Sequence, residues 1–329
     1  MQARRFGKIG REVSEVGLGA WQIGADWGEV DEDDALATLH AAADAGVTFF
    51  DTADVYGDGR SERLVGRFAR ERAEAGAPVF VATKMGRRVE QVVANYTPEN
   101  FRRWNDRSRE NLGVETLDLV QLHCPPTDLY YRPDVFEELE AMVEERRIAA
   151  YGVSVERVEE GLKALEYPGL ASVQIIFNAF RQRPAALFLH EAARRGVGVI
   201  ARVPLASGLL SGRYTRETSF APDDHRTFNR HGEQFDVGET FAGVPFDVGL
   251  EAVEELRELV PDGATPAQFA LRWILMHDGV STVIPGARSP EQARANASSA
   301  DLPELDDATM ARVADVYERR IAPYVHQRW

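Results

Sequence analysis

Eight times along this chain a short apolar run is followed by a helical pattern, and that alternation restricts it to folds built on a parallel sheet. The strand-like runs lie at 16–19, 47–50, 79–83, 117–122, 149–153, 172–176, 197–203 and 282–284, short and continuously apolar, as in strands covered on both faces. Helical patterns follow at 33–45, 61–75, 99–112, 135–146, 156–165, 187–195, 267–277 and 291–299. Thr97-Pro98, Thr265-Pro266 and Ser289-Pro290 each put a hydroxyl at an N-cap and proline in the first turn, and Gln268 and Gln292 stand where a capping box needs them. With no low-complexity linker and no break in composition, the pattern predicts a single domain over residues 1–329. Its fold is a (β/α)8 TIM barrel with an N-terminal β-hairpin around residues 7–13. The rival doubly wound sheet carries a glycine-rich fingerprint after its first strand, and Gly17, Gly19 and Trp21 lack its third glycine. Two stretches exceed what a barrel requires: a long loop at 206–245 after the seventh strand, expected on the catalytic face, and the tail beyond 302.

A formal charge of -15 with arginines interspersed among acids argues against a nucleic-acid partner. Cys124 is the only cysteine, so an intrachain disulfide and a cysteine-rich metal site are excluded. No apolar run has the length of a signal peptide or a membrane span, and the expected location is cytoplasmic, with no membrane partner.

Three strand-like runs end in polar residues: Asp51, Lys84 and His123. Lys84 is one of three lysines among 38 basic residues, in a chain that otherwise uses arginine. An ammonium is a compact charge able to polarise a phenol, whereas a guanidinium is a planar fork. In a barrel the strand ends converge on one mouth, and Tyr56, in the turn after Asp51, is within reach of it. The four suit proton transfer: the amine lowers the phenol's pKa, the carboxylate fixes the amine, and the imidazole hydrogen-bonds a substrate oxygen. The seven histidines show no metal-ligand spacing, so no metal is expected. Trp21, Trp27, Tyr130 and Tyr131 follow strand ends and are candidate pocket walls, while His225 and His231, in the long loop, are candidate substrate contacts whose default expectation is solvation.

These residues form an ordered set that resembles the aldo-keto reductase family. Residues 51–62, DTADVYGDGRSE, are similar to the family's DTAxxYGxGxSE, and Lys84 and His123 follow at the matching strand ends. Further matches are residues 16–21, 152–154, 173–174, 204–213 and 284–289, with Gln292 and Asn296. The resemblance implies hydride transfer between NADPH/NADP+ and a small-molecule carbonyl or alcohol. In that reading Tyr56 is the general acid, Lys84 its modulator, Asp51 the partner of Lys84, and His123 the group that orients the carbonyl, with Trp21, Tyr56 and His123 contacting substrate. The nicotinamide end falls to Gly19, Trp21, Ser154, Gln174 and Arg202. The pyrophosphate falls to Pro204, Leu205, Ser207, Gly208, Leu210 and Arg213, and the adenosine end to Gly286, Arg288, Gln292 and Asn296. Arg288, just before a capped helix start, meets the 2'-phosphate, which favours NADPH over NADH.

Two positions depart from the family. Val155 replaces the asparagine usual after the serine of Gly-Val-Ser, and Arg202 stands where many members stack an aromatic ring on the nicotinamide. Arg202 either stacks its guanidinium there or turns to pair with an acid. The alternatives to carbonyl reduction are an NAD(P)+-dependent sugar or alcohol dehydrogenase and a slow-turnover, cofactor-binding regulatory subunit. A metal-dependent lyase or hydrolase ranks last, because only Asp51 and His123 are suitably placed as ligands.

Overall fold

The computed structural model describes residues 1–24 and 31–329, and the expected pocket residue Trp27 lies outside the described residues. Two short strands, β1 (Ala3–Arg5) and β2 (Glu12–Ser14), pair antiparallel as the expected hairpin, with Ala3 opposite Ser14. It closes one end of the barrel. Phe6, fully buried, packs its ring 5.3 Å from that of Phe49 and 5.6 Å from that of Phe80.

Eight parallel strands follow in sequential order: β3 (Leu18–Gly19), β4 (Phe49–Asp51), β5 (Phe80–Met85), β6 (Leu119–His123), β7 (Tyr151–Val155), β8 (Ser172–Ile176), β9 (Gly198–Arg202) and β10 (Thr282–Val283). The barrel closes where Gly17 N donates to Val283 O (2.7 Å) and Val283 N to Glu15 O (3.0 Å). Helices α1 (Glu32–Asp44), α2 (Arg60–Glu74), α3 (Pro98–Leu112), α4 (Pro133–Glu144), α5 (Val158–Ala164) and α6 (Phe188–Arg194) alternate with the strands. After β9 come α7 (His225–Phe228), α8 (Phe246–Arg257) and α9 (Pro266–Leu275), and after β10 come α10 (Pro290–Ala297), α11 (Asp307–Val316) and α12 (Ala322–Val325).

Strand side chains alternate between the two faces, which sorts the interior into levels. Toward the hairpin, Phe49, Phe80, Leu119 and Ile200 form an apolar plug with Phe6. Two residues further along each strand the same face carries Asp51, Ala82, Gln121 and Arg202, and Lys84 and His123 lie one level beyond on β5 and β6. The opposite faces, including Phe50, Met85, Leu122, Val153 and Ile175, join the larger core beneath the helices. The register sets His123 beside Ser154 and Ser154 beside Gln174.

The structure extends the expected pattern in three places. Four strands run past their expected ends, so Asp51, Lys84 and His123 belong to the strands themselves. The 206–245 stretch is broken by α7 and short 3-10 turns, with α8 immediately after it burying Gly249, Ala252, Val253 and Leu256 at helical spacing. The tail beyond 302 contains α11 and α12. Thr97, Thr265 and Ser289 cap their helices as expected, and Gln268 completes the box with Thr265. Gln292 instead accepts from the N–H of Arg288 (2.9 Å), one residue earlier than a box requires.

Candidate active site

At the end of the barrel opposite the hairpin, Asp51, Lys84, Tyr56 and His123 come together. Lys84, 1% exposed, donates to Asp51 Oδ1, to Thr52 O at 2.8 Å and to the Tyr56 hydroxyl at 3.3 Å. The second Asp51 oxygen accepts from Gln174 Nε2 (2.8 Å) and Gln121 Nε2 (3.3 Å). A buried carboxylate is tolerable only when its lone pairs are satisfied, and here an ammonium and two amides do so. Tyr56 is set by a tight turn in which Gly57 has φ +57 and a Cβ there would lie 1.9 Å from Gly24 O, so the backbone packs too closely for any other residue. The His123 ring stands edge-on to the Tyr56 ring at 5.9 Å between centroids.

Burial governs the protonation states. It raises the Tyr56 phenol above its ordinary value of 10.0, with Lys84 pulling down and Asp51 and Glu239 pushing up. This corrects the expectation of a net lowering: Lys84 acts in the expected direction but is outweighed by desolvation. The phenol therefore holds its proton at neutral pH, as a proton donor must. Burial disfavours the Lys84 ammonium, but Asp51 and Tyr56 together outweigh it and raise its pKa above 10.5. His123 is driven well below 6.5, by burial first and then by Arg87, Lys84 and Arg202, so the imidazole is neutral. Its buried Nδ1 has no protein partner.

From Tyr56 and His123 a cleft of about 650 Å³ runs between the β9 loop and the α10 segment, within the roughly 300–1,000 Å³ of ligand clefts. Gly19, Trp21, Gln174 and Arg202 line its inner end, Pro204, Leu205, Ser207, Gly208 and Arg213 its middle, and Gly286, Arg288, Gln292 and Asn296 its outer end. Asn296 Nδ2 donates to Gly286 O (3.1 Å), tying α10 to the strand before it. The middle wall is backbone in unusual conformations. Val203, Ala206 and Ser207 have φ of 51, 48 and 55, and Gly208, at φ +94, faces Tyr214 so closely that a Cβ would lie 2.2 Å from its hydroxyl. Two expected cofactor residues do not line this cleft. Ser154 is buried with its Oγ 3.3 Å from Cys124 Sγ, and Leu210 faces an apolar crevice against Val253 and Trp273.

Of the two readings of Arg202, the structure displays the pairing one. Its guanidinium meets Glu156 (2.9 Å) and Glu239 (3.7 Å) and donates to Val155 O (3.0 Å). Arg87 meets the same two carboxylates, at 2.8 Å to Glu239 and 3.4 Å to Glu156. Burial opposes a charged Glu239, but the two guanidiniums outweigh it and hold this carboxyl well below its usual range. Cys124, Glu156 and Glu239 lie within 4.8 Å of one another, and Arg87 and Arg202 supply the positive charge there.

Of the two loop histidines, His231 is exposed as expected but His225 turns inward. His225 is 1% exposed and packs 5.1 Å from the Trp21 ring, with Phe235 beyond at 6.2 Å from Trp21. Burial lowers its pKa to about 4. Tyr130 is buried, its hydroxyl on Ser154 O at 3.4 Å, whereas Tyr131 is 63% exposed and does not line this cleft. Gln121, Arg87, Glu156 and Glu239 are the site residues that sequence reasoning did not single out. Gln121 had a signal, being the polar interruption of an apolar strand directly opposite Lys84; the other three look locally like surface charges.

A parallel (β/α)8 barrel with a buried lysine–tyrosine pair at the floor of an elongated cleft has the architecture of a nicotinamide-dependent oxidoreductase. The chain belongs to the aldo/keto reductase family, whose model matches residues 15–318. It is 30% identical over 300 residues to the aldo-keto reductase YhdN of Bacillus subtilis, covering 90% of this chain and 87% of that one. The structure of a glycerol dehydrogenase from Gluconobacter oxydans is similar at 31% identity and a TM-score of 0.76, covering 97% of this chain and 96% of the other. A probable voltage-gated potassium channel subunit beta of Arabidopsis thaliana is 25% identical over 339 residues, covering 97% and 98%. Among the described residues no helix is long and apolar enough to cross a membrane.

Proposed function

We propose that the protein reduces an aldehyde or ketone to an alcohol with NADPH, Tyr56 serving as the general acid. The observation that carries this reading is the Tyr56 hydroxyl 3.3 Å from Lys84 Nζ at the inner end of a cleft that continues to Arg288. The cleft's chemistry fits a dinucleotide. Gly208 and Gly286 lie along its wall, and it has a buried Gln22 oxygen without a protein partner and an arginine before the N-terminus of α10, where free N–H groups favour an anion. The nicotinamide, when bound, supplies the hydride. Gly19, Trp21, Gln174 and Arg202 would hold its ring end, the 204–213 loop its phosphates, and Arg288, Gln292 and Asn296 its adenosine end.

The chain's own part is proton delivery and orientation. Neutral His123 and the Tyr56 hydroxyl receive the carbonyl oxygen of the substrate, and Tyr56 releases its proton to that oxygen as negative charge builds there. The Lys84 ammonium, fixed by Asp51, Gln121 and Gln174, stabilises the phenolate left behind. Trp21, its ring stacked on that of Tyr56 and backed by His225 and Phe235, forms the aromatic side of the pocket.

The test follows NADPH absorbance against aliphatic aldehydes, aromatic aldehydes, dicarbonyls and sugars, with NADH in parallel. The proposal expects turnover of at least one class with NADPH preferred, and a preference that shrinks in Arg288→Ala. No turnover on any class, with the dinucleotide bound, would favour the regulatory-subunit alternative.

A further inference from the structure

Glu239 and Ser207 both depend on one irregular segment, residues 236–243. Glu239 reaches Arg87 and Arg202 from this segment, while the Ser207 hydroxyl donates to Glu239 O (3.1 Å) and accepts from Phe241 N (3.0 Å). The wall of the cleft and the charged cluster at its inner end are thus stitched to the same piece of chain. That piece is two three-residue 3-10 turns, with Phe241 and Ala242 in the left-handed region at φ 51 and 58. Such backbone persists only where surrounding contacts over-determine it.

Trp329 supplies many of those contacts. It is 3% exposed, and its indole N–H donates to Asp236 Oδ1 at 2.9 Å. Its ring lies so close to Gly238 and Gly243 that a Cβ there would come within 3.0 and 2.5 Å of it. The Arg181 guanidinium covers the ring 4.1 Å from its centroid and donates to Ala242 O at 3.3 Å, and Arg183 Nη1 donates to Trp329 O at 2.5 Å. Trp329 itself does not line the cleft.

We infer that Trp329 is a positioning residue for dinucleotide binding: it pins residues 236–243 and, through Glu239 and Ser207, sets the place of Arg202 and of the loop that would run along the phosphates. The inference rests on reading the cleft as the NADPH site. Tyr56, Lys84, Asp51 and His123 are held by the barrel strands and their turns, not by this segment, so Trp329 acts first on cofactor affinity and reaches the proton-transfer groups only through the charge of Glu239 and its arginine partners.

The experiment is calorimetric titration of the full chain with NADPH, alongside thermal unfolding and steady-state kinetics at saturating NADPH. Trp329→Ala is expected to raise the NADPH Kd by about tenfold or more, with kcat at saturating NADPH falling by a much smaller factor. Trp329→Phe, which keeps the ring but not the bond to Asp236, should fall between. Leu139→Ala, a cavity beneath the buried face of α4, serves as the control: it should lower Tm while leaving the Kd unaltered. A Kd for Trp329→Ala within about twofold of the wild type, or an equal weakening in Leu139→Ala, overturns the inference. Should the alanine variant not fold, Trp329→Phe and Gly243→Ala carry the test, and wild-type affinity in both overturns it equally. A wild-type protein that binds no NADPH removes the cofactor reading itself, an outcome distinct from wild-type binding that is indifferent to Trp329.

Discussion

Asp51→Asn is the perturbation whose consequence the structure specifies most fully. Both partners of the Asp51–Lys84 pair are buried, with side chains 3% and 1% exposed. One Asp51 oxygen accepts from Lys84 and the other from Gln174 and Gln121. Asparagine offers one acceptor and one donor. Whichever way its amide turns, an N–H faces either the ammonium or the glutamine amides, and only rearrangement of Gln174 and Gln121 relieves the second clash. Removing one member of a buried ion pair costs about 3–5 kcal/mol, because the other charge stays behind without compensation. An unfolding entropy of about 2.1 cal/mol/K per residue over 329 residues gives roughly 0.7 kcal/mol/K. The expected fall in Tm is therefore about 4–7 °C. Scanning calorimetry at pH 7 measures it, and turnover should drop with it because Lys84 loses the charge that keeps it protonated. A Tm within about 1 °C of the wild type would refute the reasoning, since the pair would then be either solvated or dispensable.

Three further outcomes concern Asp54, His225 and Gly208. Asp54 is fully buried, neither oxygen has a protein partner, and burial with Glu62 nearby raises its pKa to about 7 against the pull of Arg88 and Arg107. A raised carboxyl favours the folded state below the unfolded pKa of 3.8 and gives that advantage up as pH rises toward 7. Asp54→Asn should accordingly gain stability relative to wild type from pH 4 to 7 and level off above, as urea unfolding across that range would reveal. His225 has the opposite sign: its depressed pKa makes folding lose stability as pH falls from 6.5 toward 4, and His225→Gln should flatten the Tm profile in that window. Gly208→Ala forces a side chain into a left-handed position against Tyr214 and should cost about 1–3 kcal/mol while weakening NADPH binding; unchanged urea midpoint and Kd would mean the loop relaxes freely.

The barrel was legible because apolar runs of strand length recur with capped helices between them, and Ser172–Ile176 occupies the residues read from sequence. The cluster of Asp51, Tyr56, Lys84 and His123 was legible because Asp51, Lys84 and His123 interrupt apolar strands, a pattern with few explanations in a buried sheet. Strand ends were read short for the same reason: a polar residue looks like a terminator until its partner across the barrel is known. Residues 206–245 carry no periodicity, since their short turns are fixed by distant contacts such as Asp236 Oδ1 accepting from the indole N–H of Trp329. Arg87, Glu156, Arg202 and Glu239 come from four separate segments, so nothing local marks them as a buried cluster. Trp329 gave no sign either, because its glycine contacts lie far from it in sequence.

The central claim is that the Tyr56 hydroxyl, held by Lys84, delivers the proton to the substrate oxygen. Single-turnover reduction of an accepted carbonyl by protein preloaded with NADPH tests it most directly, wild type against Tyr56→Phe. The account predicts a rate lower by about 10²–10⁴-fold with NADPH affinity unchanged. A Tyr56→Phe protein that reduces the carbonyl at the wild-type rate would contradict it.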